Sequence, residues 1–477
     1  MRWSSCILEK HLGGFRGVNL LSLTFCFFQH YSRVHPAATA VVTIVGRIPA
    51  QPVFLPVLPC DEEEIPMKTS KTIVIGGGAA GLMAAGRAAE RGEEVLLLEK
   101  MERTGRKIGI SGKGRCNLGN SAPLSDFLSH FGTNGSFLRQ CFQQFFTPEL
   151  TVFFESRNLP LVTERGGRIF PASGRALDIV RVCNTWLKGS GATVRHGAPV
   201  TDILVREGRI YGVRCGDEEL PCKNVILATG GMSYPRTGSS GDGYRLAASL
   251  GHTIVPIRPA LVPLVSTDAK VRRMAGLELR NIQVRLYLDG RRKGQEFGEL
   301  TFTGYGLSGP VILTLSGLAV DALDRGKKVV LALDLKPALD GDKLNARLLR
   351  DLASRGGEPI ADILRGLLPR EMIAICMDSC NLQANQDTIH FPGKMRNRLV
   401  QWLKDFRIEI CGYRSFDEAI ITAGGVSLKE IDPRTMQSKL VEGLFIVGEL
   451  LDLQADTGGY NLQAAFSTGW VAGSSVS

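Results

Sequence analysis

The sequence predicts an α/β fold with a parallel sheet, and three stretches of the 477-residue chain carry this prediction. Residues 71–99 have the pattern of a strand at 72–75, a glycine turn, a helix at 79–91 and a second strand at 95–98. Residues 225–231 and 443–449 each have the pattern of an apolar strand that ends in glycine. Short apolar runs of this kind are typical of strands buried in a parallel sheet. The long interval between the second and third stretches predicts an insertion between two halves of one domain.

The first stretch has the spacing of a dinucleotide-binding turn, G-x-G-x-x-G, formed by Gly76, Gly78 and Gly81. In such a turn the first glycine permits a tight bend, the second lets a pyrophosphate approach the backbone, and the third lets the helix pack closely on the strand. The helix N-terminus offers free N–H groups and a positive dipole end to the phosphates. Glu99 ends the second strand, where an acid about 20 residues beyond the turn binds the adenosine ribose. The predicted cofactor contacts of this unit are Gly76, Gly78, Ala79, Ala80, Gly81, Glu99 and Lys100.

Composition places the chain among globular enzymes. Apolar residues make up 44% of it and charged residues 22%, and its length allows two to three domains. The net charge of +10 suits anionic cofactors and substrates, and because no run of five basic residues occurs, we expect no nucleic-acid partner. The 11 cysteines form no C-x-x-C pair and the 7 histidines no H-x-x-x-H pair, so we expect neither a metal site nor a disulfide framework. A reduced cysteine set is typical of a cytoplasmic protein.

Residues 1–66 differ from the rest of the chain. The apolar run 18–28 is too short to span a bilayer, and with the basic residues Arg2, Lys10 and Arg16 before it, it resembles a signal peptide. A transit peptide is a second interpretation. We favour a third, an upstream extension, because Met67 stands shortly before the first strand. We expect this leader to be poorly ordered and without catalytic function.

A basic, glycine-rich loop follows Glu99. It has the pattern G-R-K-x-x-x-S-G-x-G-R-C-N from Gly105 to Asn117. This string resembles the signature of the BaiN-like flavoproteins, also described as the aminoacetone oxidase family of NAD(P)/FAD-dependent oxidoreductases. The resemblance extends from about residue 71 to the C-terminus. It implies that the loop packs beside the flavin and pyrophosphate of FAD, with contacts from Arg106, Lys107, Ser111, Gly112, Gly114, Arg115, Cys116 and Asn117.

The second and third stretches select FAD as the cofactor. The second ends in Ala-Thr-Gly-Gly, which is typical of FAD proteins with the glutathione-reductase-like fold. The third ends in Gly-Glu, and in such folds this acid accepts hydrogen bonds from the ribitol, which NAD lacks. A helix after residues 458–461 can direct its N-terminus at the flavin and stabilise negative charge there. These stretches add Thr229, Gly230, Gly448, Glu449, Gly458, Gly459, Tyr460 and Asn461 to the predicted contacts.

The predicted fold is therefore α/β, with a discontinuous, glutathione-reductase-like Rossmann FAD-binding domain formed by residues 67–256 and 421–477. Residues 137–156 have the apolar spacing of a single helix with one buried face. Short β-like runs in residues 257–336, together with the resemblance, imply a small inserted β-barrel, and the resemblance places the segment 301–310 on the substrate side. Residues 337–405 have the pattern of a helical subdomain, and residues 406–420 that of a strand returning to the barrel.

The resemblance implies a FAD-dependent oxidoreductase that reduces an activated C=C bond, or a similar group, of a small-molecule substrate. NAD(P)H is the expected reductant, bound transiently because the insertion does not have the pattern of a second Rossmann unit. We predict Arg115 and Tyr460 as the catalytic, substrate-polarising residues and Cys116 as a small buried residue rather than a redox thiol. Tyr234 either faces the flavin or fills a joint between domains.

Two other hypotheses stay open, a flavin-dependent RNA-modifying protein and a flavin-binding protein with a redox-sensing role. A salt-sensitive shift of tRNA in a gel would favour the first, and absence of turnover with any reductant the second. We expect no membrane partner, and the sequence leaves the oligomeric state open.

Overall fold

The computed structural model describes residues 72–383 and 385–477. The predicted leader, residues 1–66, lies outside them. In the first part of the described chain the strands are β1 Thr72–Ile75, β2 Val95–Glu99, β3 Gly119–Asn120, β4 Leu161–Thr163, β5 Arg168–Pro171, β6 Thr193–His196, β7 Val200–Arg206, β8 Arg209–Cys215, β9 Glu218–Pro221, β10 Asn224–Leu227 and β11 Ile254–Ala260. The helices of this part are α1 Ala79–Glu90, α2 Arg106–Ile110, α3 Leu124–Ser129, α4 Arg139–Gln144, α5 Thr147–Glu155, α6 Ala176–Gly189 and α7 Asp242–Ser249.

A second group of elements follows, and the chain then returns to the first sheet. The strands of the second group are β12 Leu264–Val265, β13 Glu278–Leu288, β14 Arg291–Thr303, β15 Gly306–Ser308, β16 Val329–Asp334, β17 Phe406–Ile410 and β18 Gly412–Tyr413. Its helices are α8 Ala269–Arg273, α9 Pro310–Leu323, α10 Gly341–Ser354, α11 Ile360–Leu364, α12 Arg370–Cys380 and α13 Gly393–Lys404. The last elements are β19 Ile421–Val426, β20 Leu444–Ile446 and α14 Tyr460–Ser475.

A five-stranded parallel sheet in the order β20-β10-β1-β2-β6 forms the centre of the first part. Each residue of β1 is buried, as expected of a strand with neighbours on both sides and helices on both faces. The chain order reverses beside β1, since β2 lies on one side of it and β10 on the other. In open α/β sheets a crevice forms at the carboxyl ends of the strands at such a reversal, and ligands bind there.

Small residues let two helices of this domain cross at close range. A Cβ atom added at Gly469 of α14 would lie 2.2 Å from the carbonyl oxygen of Ala80 in α1. One added at Gly473 would lie 2.4 Å from the carbonyl oxygen of Ala84. Real Cβ atoms do not approach this closely, so only glycine permits this packing. The crossing fixes α14 directly against the helix that follows the glycine turn.

The second group forms an antiparallel sheet that closes on itself. Its seven strands have the order β17-β16-β13-β14-β15-β12-β18. The two end strands, β17 and β18, are separated along the chain only by Cys411. One continuous segment therefore pairs with β16 at its start and with β12 at its end, which makes the sheet a small barrel. Helices α10 to α13 pack against it, and α10 buries Leu344, Leu348 and Leu352 at helical spacing. The domain boundaries themselves stay predictions.

Two local predictions differ from the structure. A single helix was predicted for residues 137–156, but the chain there forms α4 and α5 with an extended break at Phe145. A proline has no N–H to donate to the preceding turn, so α4 cannot continue through Pro148. Pro148 instead occupies the first turn of α5, where that N–H is not needed. The loop predicted after Glu99 contains the short helix α2, which begins after Gly105 at a φ of 70°.

Candidate active site

A cavity of about 640 Å³ lies at the carboxyl ends of β1 and β10. This volume is in the usual range for small-molecule and cofactor sites. One end is walled by the glycine turn and the loop around α2. The other end meets the barrel and the segment that returns from it, through a set of residues that we call the barrel wall: Leu261, Pro263, Ser308, Leu313, Glu418 and Ile420. The cavity therefore joins a polar, glycine-rich end to a mostly apolar end.

Glycine suits each of the three positions of the turn for a different structural reason. Gly76 has a φ of 101°, and a Cβ there would lie 2.6 Å from the carbonyl oxygen of Ala228. A Cβ on Gly81 would lie 1.8 Å from the carbonyl oxygen of Gly76, so Gly81 permits the contact of helix and strand. Gly78 differs, because a Cβ there would meet nothing within 4 Å. Since Gly78 lines the cavity and precedes α1, the space is open on the side where a phosphate would approach.

Glu99 and Lys100 lie at the end of β2 and line the same cavity. The carboxylate of Glu99 is 8% exposed and accepts hydrogen bonds from the backbone N–H of Gly77 at 2.7 Å and of Met101 at 2.8 Å. These bonds fix the acid against the glycine turn, and its contact with a ribose stays a prediction. The ammonium of Lys100 lies 3.0 Å from the carboxylate of Asp242, and it thereby connects β2 to the start of α7.

Glu449 connects three distant segments beside the cavity. Its Oε2 lies 2.6 Å from Nζ of Lys107, in α2. Its Oε1 accepts hydrogen bonds from the Ser233 hydroxyl at 2.9 Å and from the backbone N–H of Thr422 at 2.8 Å. The Thr422 hydroxyl in turn accepts the N–H groups of Met232 and Ser233. This network fixes the acid that the sequence assigned to the ribitol.

Several polar groups in the cavity wall fit a bound FAD. The side-chain oxygens of Asn117 and Thr229 are buried and lack a hydrogen-bond partner within the described residues. Buried polar atoms are rarely left in this state, so a ligand with hydrogen-bonding edges suits both positions. Helix α14 begins after Gly459, which has a φ of 97°, and no side chain caps the free N–H groups of its first turn. That turn can stabilise negative charge on a reduced flavin.

Residues 70–475 match the protein family described as the HI0933-like protein Rossmann domain. The chain belongs to the HI0933-like family. A 3-dehydro-bile acid delta(4,6)-reductase of Clostridium scindens is 32% identical to it over 402 residues, which are 84% of this chain and 97% of that one. A ribosomal RNA dihydrouridine synthase of Haemophilus influenzae is 27% identical over 418 residues, 86% of this chain and 98% of that one. Among solved structures, a 3-ketosteroid delta1-dehydrogenase from Sterolibacterium denitrificans is 13% identical, with a TM-score of 0.46 and coverage of 85% and 99%.

The prediction of a BaiN-like Rossmann flavoprotein fold is thus confirmed, and this HI0933-like protein is a FAD-dependent oxidoreductase. In the part of the chain that the structure describes, no helix has the length and apolar character needed to cross a membrane. No group of three or more metal-ligating side chains occurs there either.

The structure brings most predicted contact residues of this HI0933-like protein to one cavity. Those that line it are Gly76, Gly78, Ala79, Ala80, Glu99, Lys100, Arg106, Lys107, Ser111, Gly112, Asn117, Thr229, Gly230, Gly448, Glu449, Gly458, Gly459 and Asn461. Gly81 is buried, and the partly exposed Gly114 does not line the cavity. Cys116 is fully buried, and burial raises the pKa of its thiol to about 12. A thiol in this state is a poor redox nucleophile, which supports the interpretation of Cys116 as a small packing residue.

The two residues predicted as catalytic need correction, because neither lines the cavity. The guanidinium of Arg115 points to the surface, where it pairs with Glu164 at 2.5 Å and lies 4.3 Å from the centre of the Phe170 ring. The ring of Tyr460 is buried and stacks on His130 at 3.9 Å. Both are next to residues that do line the cavity, but their side chains point away from it. Their proposed role in polarising a substrate therefore has no geometric support.

Sequence reasoning missed most of the barrel wall and the partners of Glu449. Ser308 lies in the segment 301–310, which the family resemblance placed on the substrate side, so a signal for it existed. Asp242 is the first residue of α7, and its carboxylate also binds Lys100. No local pattern marks Glu418, whose carboxylate binds both the nearby Arg414 and the distant Tyr305.

Proposed function

We propose that this protein uses NAD(P)H to reduce, through FAD, a carbon–carbon double bond that is conjugated to a carbonyl group. One observation carries the proposal: a single cavity joins the dinucleotide turn to the mostly apolar barrel wall. An acceptor in the apolar end would lie beside the cofactor end without a separate channel. Apolar pockets with a few placed polar groups are typical of sites that bind and orient small molecules.

The activities of two relatives support the same chemistry. A delta(4,6)-reductase of 3-dehydro-bile acids saturates double bonds in a ring system that carries a 3-oxo group. A dihydrouridine synthase saturates the C5=C6 bond of uridine, which is conjugated to the C4 carbonyl. Both reactions add a hydride and a proton across an electron-poor double bond. We propose this reaction class for the present chain, with a sterol-like enone as the favoured acceptor because the barrel wall is mainly apolar.

The chain's own residues have defined tasks in this proposal. When bound, FAD supplies the hydride chemistry. The turn at Gly78 and the first turn of α1 would bind the pyrophosphate, Glu99 the ribose and Glu449 the ribitol. The N-terminus of α14 would stabilise negative charge on the flavin side of the cavity. The dinucleotide turn from Gly76 to Gly81 would serve FAD, so NAD(P)H would bind briefly at the same cavity before the acceptor enters.

The test begins with purified protein and its absorption spectrum. Anaerobic titration with NADH and with NADPH should bleach the flavin bands, and free FAD at equal concentration serves as the control. A 3-oxo bile acid with double bonds at positions 4 and 6 should then restore the bands in stoichiometric amount. If a bound flavin is reduced but no carbonyl-conjugated alkene restores it, the proposed reaction class is wrong. If neither nucleotide reduces the flavin, the assignment of the donor is wrong.

Uridine in ribosomal RNA is a second candidate acceptor. It is favoured by the dihydrouridine synthase relative, of which this chain covers 98%. The net charge of +10 is compatible with a polyanionic partner. The same reduced protein, incubated with ribosomal RNA free of dihydrouridine, distinguishes the two candidates. Mass spectrometry of the digested RNA would show dihydrouridine if the acceptor is RNA, and the bile acid would then be a poor acceptor.

A further inference from the structure

Reduction of a conjugated double bond requires a proton as well as a hydride, and this inference rests on the proposed function. The β-carbon receives the hydride with its two electrons, and the π electrons move to the carbonyl to give an enolate. The α-carbon must then take one proton from an acid that contacts the substrate. We infer that Tyr234 is this acid, with its phenol at the junction of the cofactor end and the barrel wall.

Tyr234 lines the cavity, and hydrogen bonds of its backbone N–H and carbonyl oxygen hold it in place. Its N–H donates to the carbonyl oxygen of Phe416 at 3.0 Å, in the segment that returns from the barrel. Its own carbonyl oxygen accepts from the N–H and the hydroxyl of Thr237 at 2.8 and 2.7 Å. Its φ of 52° is in the left-handed region, which bulky side chains rarely adopt. Strained backbone of this kind concentrates at functional sites, where the surrounding structure enforces it.

Most of the other acids at the cavity are already engaged. The ammonium groups of Lys100 and Lys107 form ion pairs with Asp242 and Glu449 at 3.0 and 2.6 Å. The carboxylate of Glu418 accepts hydrogen bonds, so in its ionised form it has no proton to give. Hydroxyls of serine and threonine are far weaker acids than a phenol.

The state of the Tyr234 phenol suits a proton donor. Burial, followed by the nearby charge of Glu418, raises the pKa of Tyr234 above its ordinary value, so the phenol carries its proton at neutral pH. Across the described residues, no protein group is hydrogen-bonded to its hydroxyl. The hydroxyl is thus available to a substrate, which makes Tyr234 the best-placed donor in the wall.

Glu418 places a negative charge near this donor. Its Oε1 accepts from Nε of Arg414 at 2.6 Å, and its Oε2 accepts from the hydroxyl of Tyr305 at 2.9 Å. These bonds fix a negative charge beside Tyr234, which opposes loss of the phenol proton until an enolate is present to take it. After the transfer, the phenolate regains a proton from water at the cavity mouth, where the lining residue Ile420 is 37% exposed.

The experiment follows re-oxidation of the flavin rather than overall turnover. Wild type and Tyr234→Phe are reduced with dithionite without oxygen and mixed with the 3-oxo-4,6-diene bile acid in a stopped-flow instrument. We expect Tyr234→Phe to bind FAD normally, to be bleached normally by the nucleotide that bleaches wild type, and to be re-oxidised about 100-fold more slowly. Its re-oxidation should also show a larger solvent isotope effect in D₂O. Tyr211→Phe removes the same atom from an exposed strand away from the cavity and should leave every rate unchanged.

Lys113 is the competing donor, because it lines the cavity and is exposed. Re-oxidation of Tyr234→Phe at the wild-type rate, or a comparable loss in Lys113→Gln alone, would overturn the assignment to Tyr234. Failure of the wild-type protein itself to be re-oxidised by the bile acid or by ribosomal RNA overturns the proposed function, and with it this role. Normal re-oxidation of wild type with a defect confined to Tyr234→Phe supports both.

Discussion

Gly78 and Gly81 are separated by two residues, yet their replacement by alanine should have opposite consequences. A Cβ at position 78 would meet no protein atom within 4 Å, so the apoprotein should accommodate it. A Cβ at position 81 would lie 1.8 Å from the carbonyl oxygen of Gly76, and both groups belong to rigid backbone. Gly78→Ala should therefore affect the cofactor, whereas Gly81→Ala should affect the fold.

The magnitudes follow from these contacts. At position 78 the new methyl group would occupy the space through which a phosphate approaches α1. Loss of one hydrogen bond to the charged phosphate costs about 1.5–3 kcal/mol, which is about a 10- to 150-fold loss of FAD affinity. Gly78→Ala should lower the unfolding free energy of the apoprotein by at most about 1 kcal/mol, because position 78 has room for alanine and loses only the N-cap preference for glycine. Gly81→Ala should lose about 3 kcal/mol or more of unfolding free energy, as overpacking against backbone cannot relax.

The assay measures two quantities on each variant. FAD affinity comes from quenching of flavin fluorescence, and stability of the apoprotein comes from urea unfolding. Gly189→Ala is the matched control, because a Cβ there also meets nothing within 4 Å and the residue, at the end of α6, does not line the cavity. The reasoning would be refuted if Gly78→Ala bound FAD within about two-fold of wild type, or if it destabilised the apoprotein as much as Gly81→Ala does.

Three further predictions concern charged and thiol groups. Glu449→Gln should weaken FAD binding and lower the unfolding free energy by about 1–3 kcal/mol, because a partly buried ion pair of 2.6 Å is lost; equal urea midpoints for variant and wild type would contradict this. The N–H of Lys343 lowers the pKa of Asp340, the N-cap of α10, so Asp340→Ala should lower Tm. A carboxyl whose pKa is lower in the folded state stabilises the fold at pH values above its unfolded pKa. The Tm difference between wild type and Asp340→Ala should therefore stay constant above about pH 4 and shrink below it; a Tm difference that grows in acid would contradict this. Iodoacetamide mapped by mass spectrometry should label exposed Cys411 in the native protein and Cys116 only after unfolding; early labelling of Cys116 would contradict its burial.

The sequence predicted most accurately the parts of the fold that depend on neighbouring residues. Helix α1 was predicted for residues 79–91 and covers Ala79–Glu90, and β2 was predicted for 95–98 and covers Val95–Glu99. Gly78 and Gly92 flank the helix, and an unbroken apolar run at 95–98 marks the strand, so local signals define both elements. The helix predicted across residues 137–156 failed because its apolar spacing was weighed without Pro148.

The candidate site was predictable in its backbone and less so in its side chains. Glycine turns and helix N-termini depend on main-chain geometry, which short patterns encode. Side-chain direction depends on packing, which a short sequence pattern does not show. Tyr460 is the first residue of α14, but its ring packs against Phe127 and His130 and does not line the cavity. The partners of Glu449 could not be predicted either, because Lys107, Ser233 and Thr422 come from segments far apart in the chain.

The network around Glu449 also explains how two parts of the protein can act on one cavity. Thr422 is the second residue of β19, directly after the chain leaves the barrel, and its N–H donates to Glu449. Ser233 precedes Tyr234 on the segment that leaves β10, and its hydroxyl donates to the same carboxylate. One acid therefore sets the position of the returning barrel segment, of the residue before Tyr234 and of the loop that carries Lys107. Because bonds to a single carboxylate connect these segments, a shift of the barrel wall would also move the groups that are predicted to hold the cofactor.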